Sequence, residues 1–153
     1  ILSIINTFLT KSTRQGVFAT MSIIKLSPQA DTVEYASAAH LPAIIIESDA
    51  TIKKLDTAGL PLGLETSSNY HNIKKELSPG TTIILYTDGI TEATNINSTA
   101  LGENGLIKML QKHRHLDAEN MIKQIEEEIE NYTQNTMLSD DQTLLLIKNR
   151  KTQ

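Results

Sequence analysis

The sequence contains no cysteine in 153 residues. That excludes disulfides, thiolate metal sites and cysteine nucleophiles, and it fits a reducing compartment, the cytoplasm. It lacks a basic block as well, and its 14 Lys and Arg stand against 18 Asp and Glu for a net charge of −4. Proteins that bind nucleic acid by neutralising phosphates carry the opposite balance, so no nucleic-acid partner is expected. No apolar stretch approaches the ~20 residues of a membrane span, so this segment is not expected to insert into a bilayer directly. There is no initiator Met, no signal segment, no internal repeat and no low-complexity tract. What remains is 39% hydrophobic and 21% charged residues, a foldable globular composition at the length of one ordinary domain.

Ile1, Leu2, Ile4, Ile5, Phe8 and Leu9 fall at helical spacing and predict an amphipathic helix with all six on one face. No capping residue precedes it, so the sequence reads as starting inside a helix, as a piece of a longer protein. Gly16 opens a strand predicted over 17–26; a turn over 27–31 leads to its hairpin partner over 32–38. Short strands follow over 43–47 and 52–55, then the turn-rich Gly59-Leu60-Pro61-Leu62-Gly63, then strands over 70–77 and 81–86. The last is so continuously apolar that it should be covered on both faces.

The second half is helical. Leu106, Ile107 and Leu110 share one face of a helix over 103–113. Asp117 then caps a long helix whose buried stripe is Met121, Ile122, Ile125, Ile129 and Tyr132. Glu126, Glu127, Glu128 and Glu130 read as solvated surface, and so do His113, Arg114 and His115 near the preceding helix end. After a loop over 133–139, a final apolar strand covers 143–147. Helix, antiparallel-type strands, two helices and a strand make an α+β pattern.

Two acidic segments stand out. Tyr86-Thr87-Asp88-Gly89 leaves the end of one apolar strand, and Ser139-Asp140-Asp141 enters the start of another. If those strands pair antiparallel, the two segments converge. Converging carboxylates repel unless they share a proton or a cation, and an all-oxygen donor set suits Mg²⁺ or Mn²⁺. Asp-Gly is also among the commonest turn dipeptides, and on spacing alone a pair of simple turns is the stronger reading.

A resemblance shifts that balance. Phe18-Ala19-Thr20, Tyr35-Ala36-Ser37-Ala38-Ala39-His40-Leu41-Pro42, Gly59-Leu60-Pro61-Leu62-Gly63, Leu85-Tyr86-Thr87-Asp88-Gly89-Ile90-Thr91-Glu92-Ala93 and Asp140-Asp141-Gln142-Thr143-Leu144 occur in order along almost the whole chain. They resemble the successive motifs of the bacterial PPM-type serine/threonine phosphatases of the stage-II-sporulation-E and sigma-factor-regulator group, relatives of type 2C phosphatases. Ala39 stands where that family usually has Gly.

The resemblance implies an antiparallel β-sandwich flanked by helices and a two-metal centre of Mn²⁺ or Mg²⁺ in the complete domain. It implies Asp88 and Asp140 as metal ligands through which catalysis runs. Gly89, Asp141, Thr20 and His40 would support the site or structure its loops. The family's earlier Gly-Asp and Asp-x-x-Gly-His-Gly segment has no counterpart here, so residues 1–153 are read as a single, N-terminally truncated phosphatase domain, weak or inactive by itself. The implied substrate is a phosphorylated anti-anti-sigma-type protein, with a regulatory domain upstream; a homodimer is compatible with the sequence. The rival reading is a non-catalytic, phosphatase-like module that binds a regulatory partner.

Overall fold

Four of the five residues of the strand Thr82–Tyr86 are buried, which requires neighbouring strands and cover on both faces. The computed structural model, which describes residues 1–14, 16–27, 31–134, 136 and 140–149, supplies the strand neighbours. Its elements run α1 (Leu2–Ser12), β1 (Met21–Ser27), β2 (Thr32–Ala38), β3 (Ala43–Ile46), β4 (Ile52–Leu55), β5 (Asn72–Glu76), β6 (Thr82–Tyr86), α2 (Asp88–Thr91), α3 (Gly102–His113), α4 (Ala118–Thr133) and β7 (Leu144–Lys148). The strands form two antiparallel sheets, ordered β1-β2-β5 and β4-β3-β6-β7. This is the expected α+β architecture. By internal contacts the chain divides into two units, residues 1–42 with 54–78, and residues 43–53 with the described part of 79–153.

In the first unit, β2 is the central strand. It pairs with β1 through Ile23↔Ala36 and with β5 through Tyr35↔Ile73. Leu2 of α1 packs with Ala38 and Leu62, and Ile5, Leu9, Met21 and Ile23 gather around them. Asn6 on the same helix is 1% exposed, with both polar side-chain atoms hydrogen-bonded. Its Nδ2 donates to the Glu65 carbonyl at 2.8 Å, and its Oδ1 accepts from Gly63 N–H at 2.8 Å, so a polar side chain fastens the glycine-rich loop to the helix.

Two expectations need correction here. The six apolar residues of α1 do not share one buried face: Ile1, Ile4 and Phe8 are 79%, 74% and 67% exposed. Six residues at those offsets span two adjacent rows of a helix, and only the Leu2–Ile5–Leu9 row meets the cluster. Strand β1 starts at Met21 rather than 17; Val17 and Phe18 are exposed, and Ala19 makes a lone bridge to Leu62. The turn expected over 27–31 and the loop expected over 133–139 fall partly on residues 28–30, 135 and 137–139, outside the described residues.

In the second unit, every residue of β3 is buried. Its three isoleucines pair with β6 as Ile44↔Ile84, Ile45↔Ile83 and Ile46↔Thr82, each burial contributing roughly 1.5–3 kcal/mol. Helix α4 begins as expected: Asp117 accepts from Asn120 N–H at 2.9 Å. Met121, Ile125 and Ile129 are buried, with Ile122 and Tyr132 half-buried beside them. Helix α3 packs on α4; its buried residues are Leu106, Met109, Leu110 and, against expectation, His113. His113 is 7% exposed, and its Nε2 lies 2.7 Å from Oε1 of Glu128, which also binds Lys112. Neither His113 nor Glu128 is free solvated surface, because the packing of two helices brings them face to face.

Candidate functional site

Strands β6 and β7 pair antiparallel from Thr82↔Lys148 to Tyr86↔Leu144, as the apolar runs predicted. The C-terminal end of one therefore adjoins the N-terminal end of the other. Beyond the last strand pair the ladder continues through Thr87. Its N–H donates to the Thr143 carbonyl at 3.1 Å, and its hydroxyl oxygen accepts from Thr143 N–H at 2.9 Å while donating to the Asp141 carbonyl at 3.1 Å.

Asp88 follows at once. It opens the four-residue helix α2 rather than sitting in an open turn, and its side chain is exposed. Ile90 and Ala93, 2% and 3% exposed, root this turn in the core, and the Asp88 carbonyl accepts from Glu92 N–H at 2.7 Å. The aspartate therefore stands on a fixed base.

Gly89 is buried against the opposite segment. A β-carbon there would lie 3.0 Å from the Asp141 carbonyl carbon and 3.2 Å from the Asp140 carbonyl oxygen. The Gly89 carbonyl accepts from Gln142 Nε2 at 3.0 Å. Asp140 is exposed, and its Oδ1 accepts from the N–H of Asp141 at 2.7 Å; the Asp141 side chain is exposed too. Asp88, Gly89, Asp140 and Asp141 thus belong to two backbone segments in direct contact at one end of the β6–β7 pair. Aspartate oxygens are the donor type a hard divalent cation prefers. Among the described residues, no group of three or more His, Cys, Asp or Glu side chains is placed to hold a metal ion.

Thr20 and His40 belong to the first unit, where the structure joins them: Thr20 Oγ1 lies 3.1 Å from His40 Nδ1. The His40 backbone is tied to Ser37, whose Oγ accepts from His40 N–H at 3.1 Å and donates to its carbonyl at 3.2 Å. Between them Ala39 takes φ +55°, the left-handed region that favours glycine, which is the residue the resembled family carries there. Reading the sequence missed Thr87 and Gln142 as structural partners of the aspartates. Their signal was a polar side chain inside or beside each aspartate motif.

The family model described as stage II sporulation protein E matches residues 1–150. The chain is 28% identical over 151 residues to phosphoserine phosphatase RsbU of Bacillus subtilis, covering 98% of this chain and 44% of that protein. Among solved structures, the SiaA-PP2C domain of Pseudomonas aeruginosa superposes with a TM-score of 0.74 at 20% identity, over 83% of this chain and 50% of that one. The manganese-presoaked phosphatase domain of SpoIIE from Bacillus subtilis superposes with a TM-score of 0.68 at 18% identity, over 99% of this chain and 66% of that one. The chain thus spans less than half the length of RsbU, and the structural likenesses establish the fold.

Proposed function

The chain belongs to the stage II sporulation protein E family, and on that premise we propose that it is part of a metal-dependent protein serine/threonine phosphatase. The observation that carries this reading is the hydrogen-bonded contact between the Thr87-Asp88-Gly89 and Asp140-Asp141-Gln142 segments at the end of β6 and β7. Asp88 and Asp140 would hold Mn²⁺ or Mg²⁺, with the rest of the shell coming from water and from residues outside this pair. The manganese soaked into the SpoIIE relative supports that choice of ion. When bound, the cation would supply positive charge against the oxygens of a phosphate monoester. The chain's own part is to bring the two aspartates to the same end of the β6–β7 pair with both side chains open to solvent. Gly89 serves by having no side chain and Asp141 by lending its main-chain carbonyl to Thr87; within the first unit, Thr20 and His40 structure a loop.

The substrate we propose is a phosphorylated regulatory protein of the anti-anti-sigma type, in line with the phosphoserine phosphatase named among the relatives. Residues 1–153 form one portion of a single phosphatase domain, joined in the full protein to a regulatory domain and working in the cytoplasm, with a homodimer compatible with this arrangement. Among the described residues no helix is long and apolar enough to cross a membrane. Alone, this portion is expected to bind Mn²⁺ weakly and turn over little substrate.

One observation favours a second reading, a phosphatase-like module that binds a regulatory partner without turnover: the described residues hold no three-ligand cluster. Phosphate release from a phosphoserine-bearing regulatory protein separates the two. The enzyme reading expects the full-length protein to release phosphate with Mn²⁺ and to stop on chelation. Tight association without release would support the module instead.

A further inference from the structure

We propose that Gln142 and Thr87 are positioning residues that set the separation of Asp88 and Asp140 for a divalent cation; this rests on the metal-site reading above. The Thr87 hydroxyl and the Gln142 amide nitrogen are both spent on the main chain of the opposite aspartate segment. Gln142, next but one after Asp140, reaches to the carbonyl of Gly89, next after Asp88. Thr87, just before Asp88, holds the carbonyl of Asp141, just after Asp140. The two links run in opposite directions; they flank Asp88 on one segment and both follow Asp140 on the other, so sliding or spreading of either segment breaks at least one of them.

The energetics point the same way. Immobilising a glutamine side chain costs about as much conformational entropy as one net hydrogen bond returns. The Gln142 link is half-exposed and therefore adds little to global stability. Its consequence is geometric: it restricts where Asp88 stands relative to Asp140. Groups that orient metal ligands in this way act on affinity more than on folding. Thr87 differs, because its hydroxyl also extends the β6–β7 ladder to Thr143 N–H, so its loss affects both.

The test uses the isotopically labelled 153-residue chain with Mn²⁺ alone as probe, read as paramagnetic broadening of the amide signals of residues 88–91 and 140–143, together with the thermal midpoint. Gln142→Met, similar in size but without the amide, should need about ten-fold more Mn²⁺ for half-broadening while keeping a near-wild-type midpoint. Thr87→Val should weaken Mn²⁺ similarly and lower the midpoint, and Thr87→Ser, which restores the hydroxyl, should return both towards wild type. Asp88→Asn is the reference for the site itself. If Asp88→Asn weakens broadening while folded Gln142→Met does not, the positioning role is wrong and the metal site stands. If Gln142→Met lowers the midpoint in step with Mn²⁺ binding, the residue is merely structural and the proposal falls. If the wild-type chain shows no broadening around Asp88 and Asp140, or Asp88→Asn leaves it unchanged, the metal-site reading fails and this one with it.

Discussion

The α-carbon of Gly89 lies so close to the main chain of Asp141 that a β-carbon would overlap its carbonyl, coming within 3.0 Å of the carbonyl carbon. Glycine is required here by space, since Gly89 is not among the positive-φ residues. Gly89→Ala must push the 140–142 segment away from α2. It should destabilise the fold by about 1–3 kcal/mol, the usual cost of overpacking, visible as a lower urea midpoint.

Much of this site was legible because it hangs on two apolar strands and because the family resemblance outweighed the reading of two simple turns. The antiparallel pairing of 82–86 with 144–148, an inner and an edge strand of the sheet β4-β3-β6-β7, brings Asp88 and Asp140 to the same end. The illegible parts depended on what lies opposite. Nothing in Ile4 or Phe8 reveals that their row of α1 faces outward. His113 did carry a signal: with Leu106, Met109 and Leu110 it completes an i, i+3, i+4, i+7 row. Its partner Glu128 sits on the flank of the Met121–Ile125–Ile129 stripe, and only the docking of α3 on α4 makes them neighbours.

Ala39 takes φ +55°, a conformation that costs an L-residue about 1–2 kcal/mol. Ala39→Gly relieves that strain and gives back part of it as unfolded-chain entropy. The net expectation is a gain of about 0.5–1 kcal/mol in chemical denaturation. The opposite sign would mean that the Ser37–His40 turn does not hold Ala39 in this conformation.

The Glu128 carboxyl is held below its ordinary value of 4.5, first by the hydrogen bond from Lys112 and further by His113, against the opposing effect of burial. Between the lowered folded value and 4.5, the unfolded chain binds more protons than the folded one. Stability from this carboxylate is therefore present above that window and lost as pH falls through it. In Glu128→Gln this component of the acid limb should vanish. Urea midpoints from about pH 6 to about pH 3 should fall less steeply than in wild type. An unchanged slope would rule out a stabilising contact at Glu128.

Asp141 contributes its main-chain carbonyl, while its carboxylate is exposed. Asp141→Asn keeps the backbone and should change Mn²⁺-dependent phosphoserine hydrolysis by the full-length protein by less than about ten-fold. His40→Ala removes the contact with Thr20 and should lie between Asp141→Asn and the ligand variants, with a reduced rate and no new pH dependence. A shifted pH–rate profile would assign His40 to proton transfer instead.

The most direct measurement of the central claim, that Asp88 and Asp140 together hold the catalytic cation, is the initial rate of phosphoserine hydrolysis by the full-length protein across a Mn²⁺ titration. It compares wild type with Asp88→Asn and Asp140→Asn, with circular dichroism to verify folding. An amide keeps the shape of the side chain and loses the charge that holds a hard cation. Each folded variant should therefore lose at least about ten- to hundred-fold in rate at low Mn²⁺. Folded Asp88→Asn and Asp140→Asn variants with wild-type rates at low Mn²⁺ would contradict the claim and reduce both aspartates to formers of their local turns.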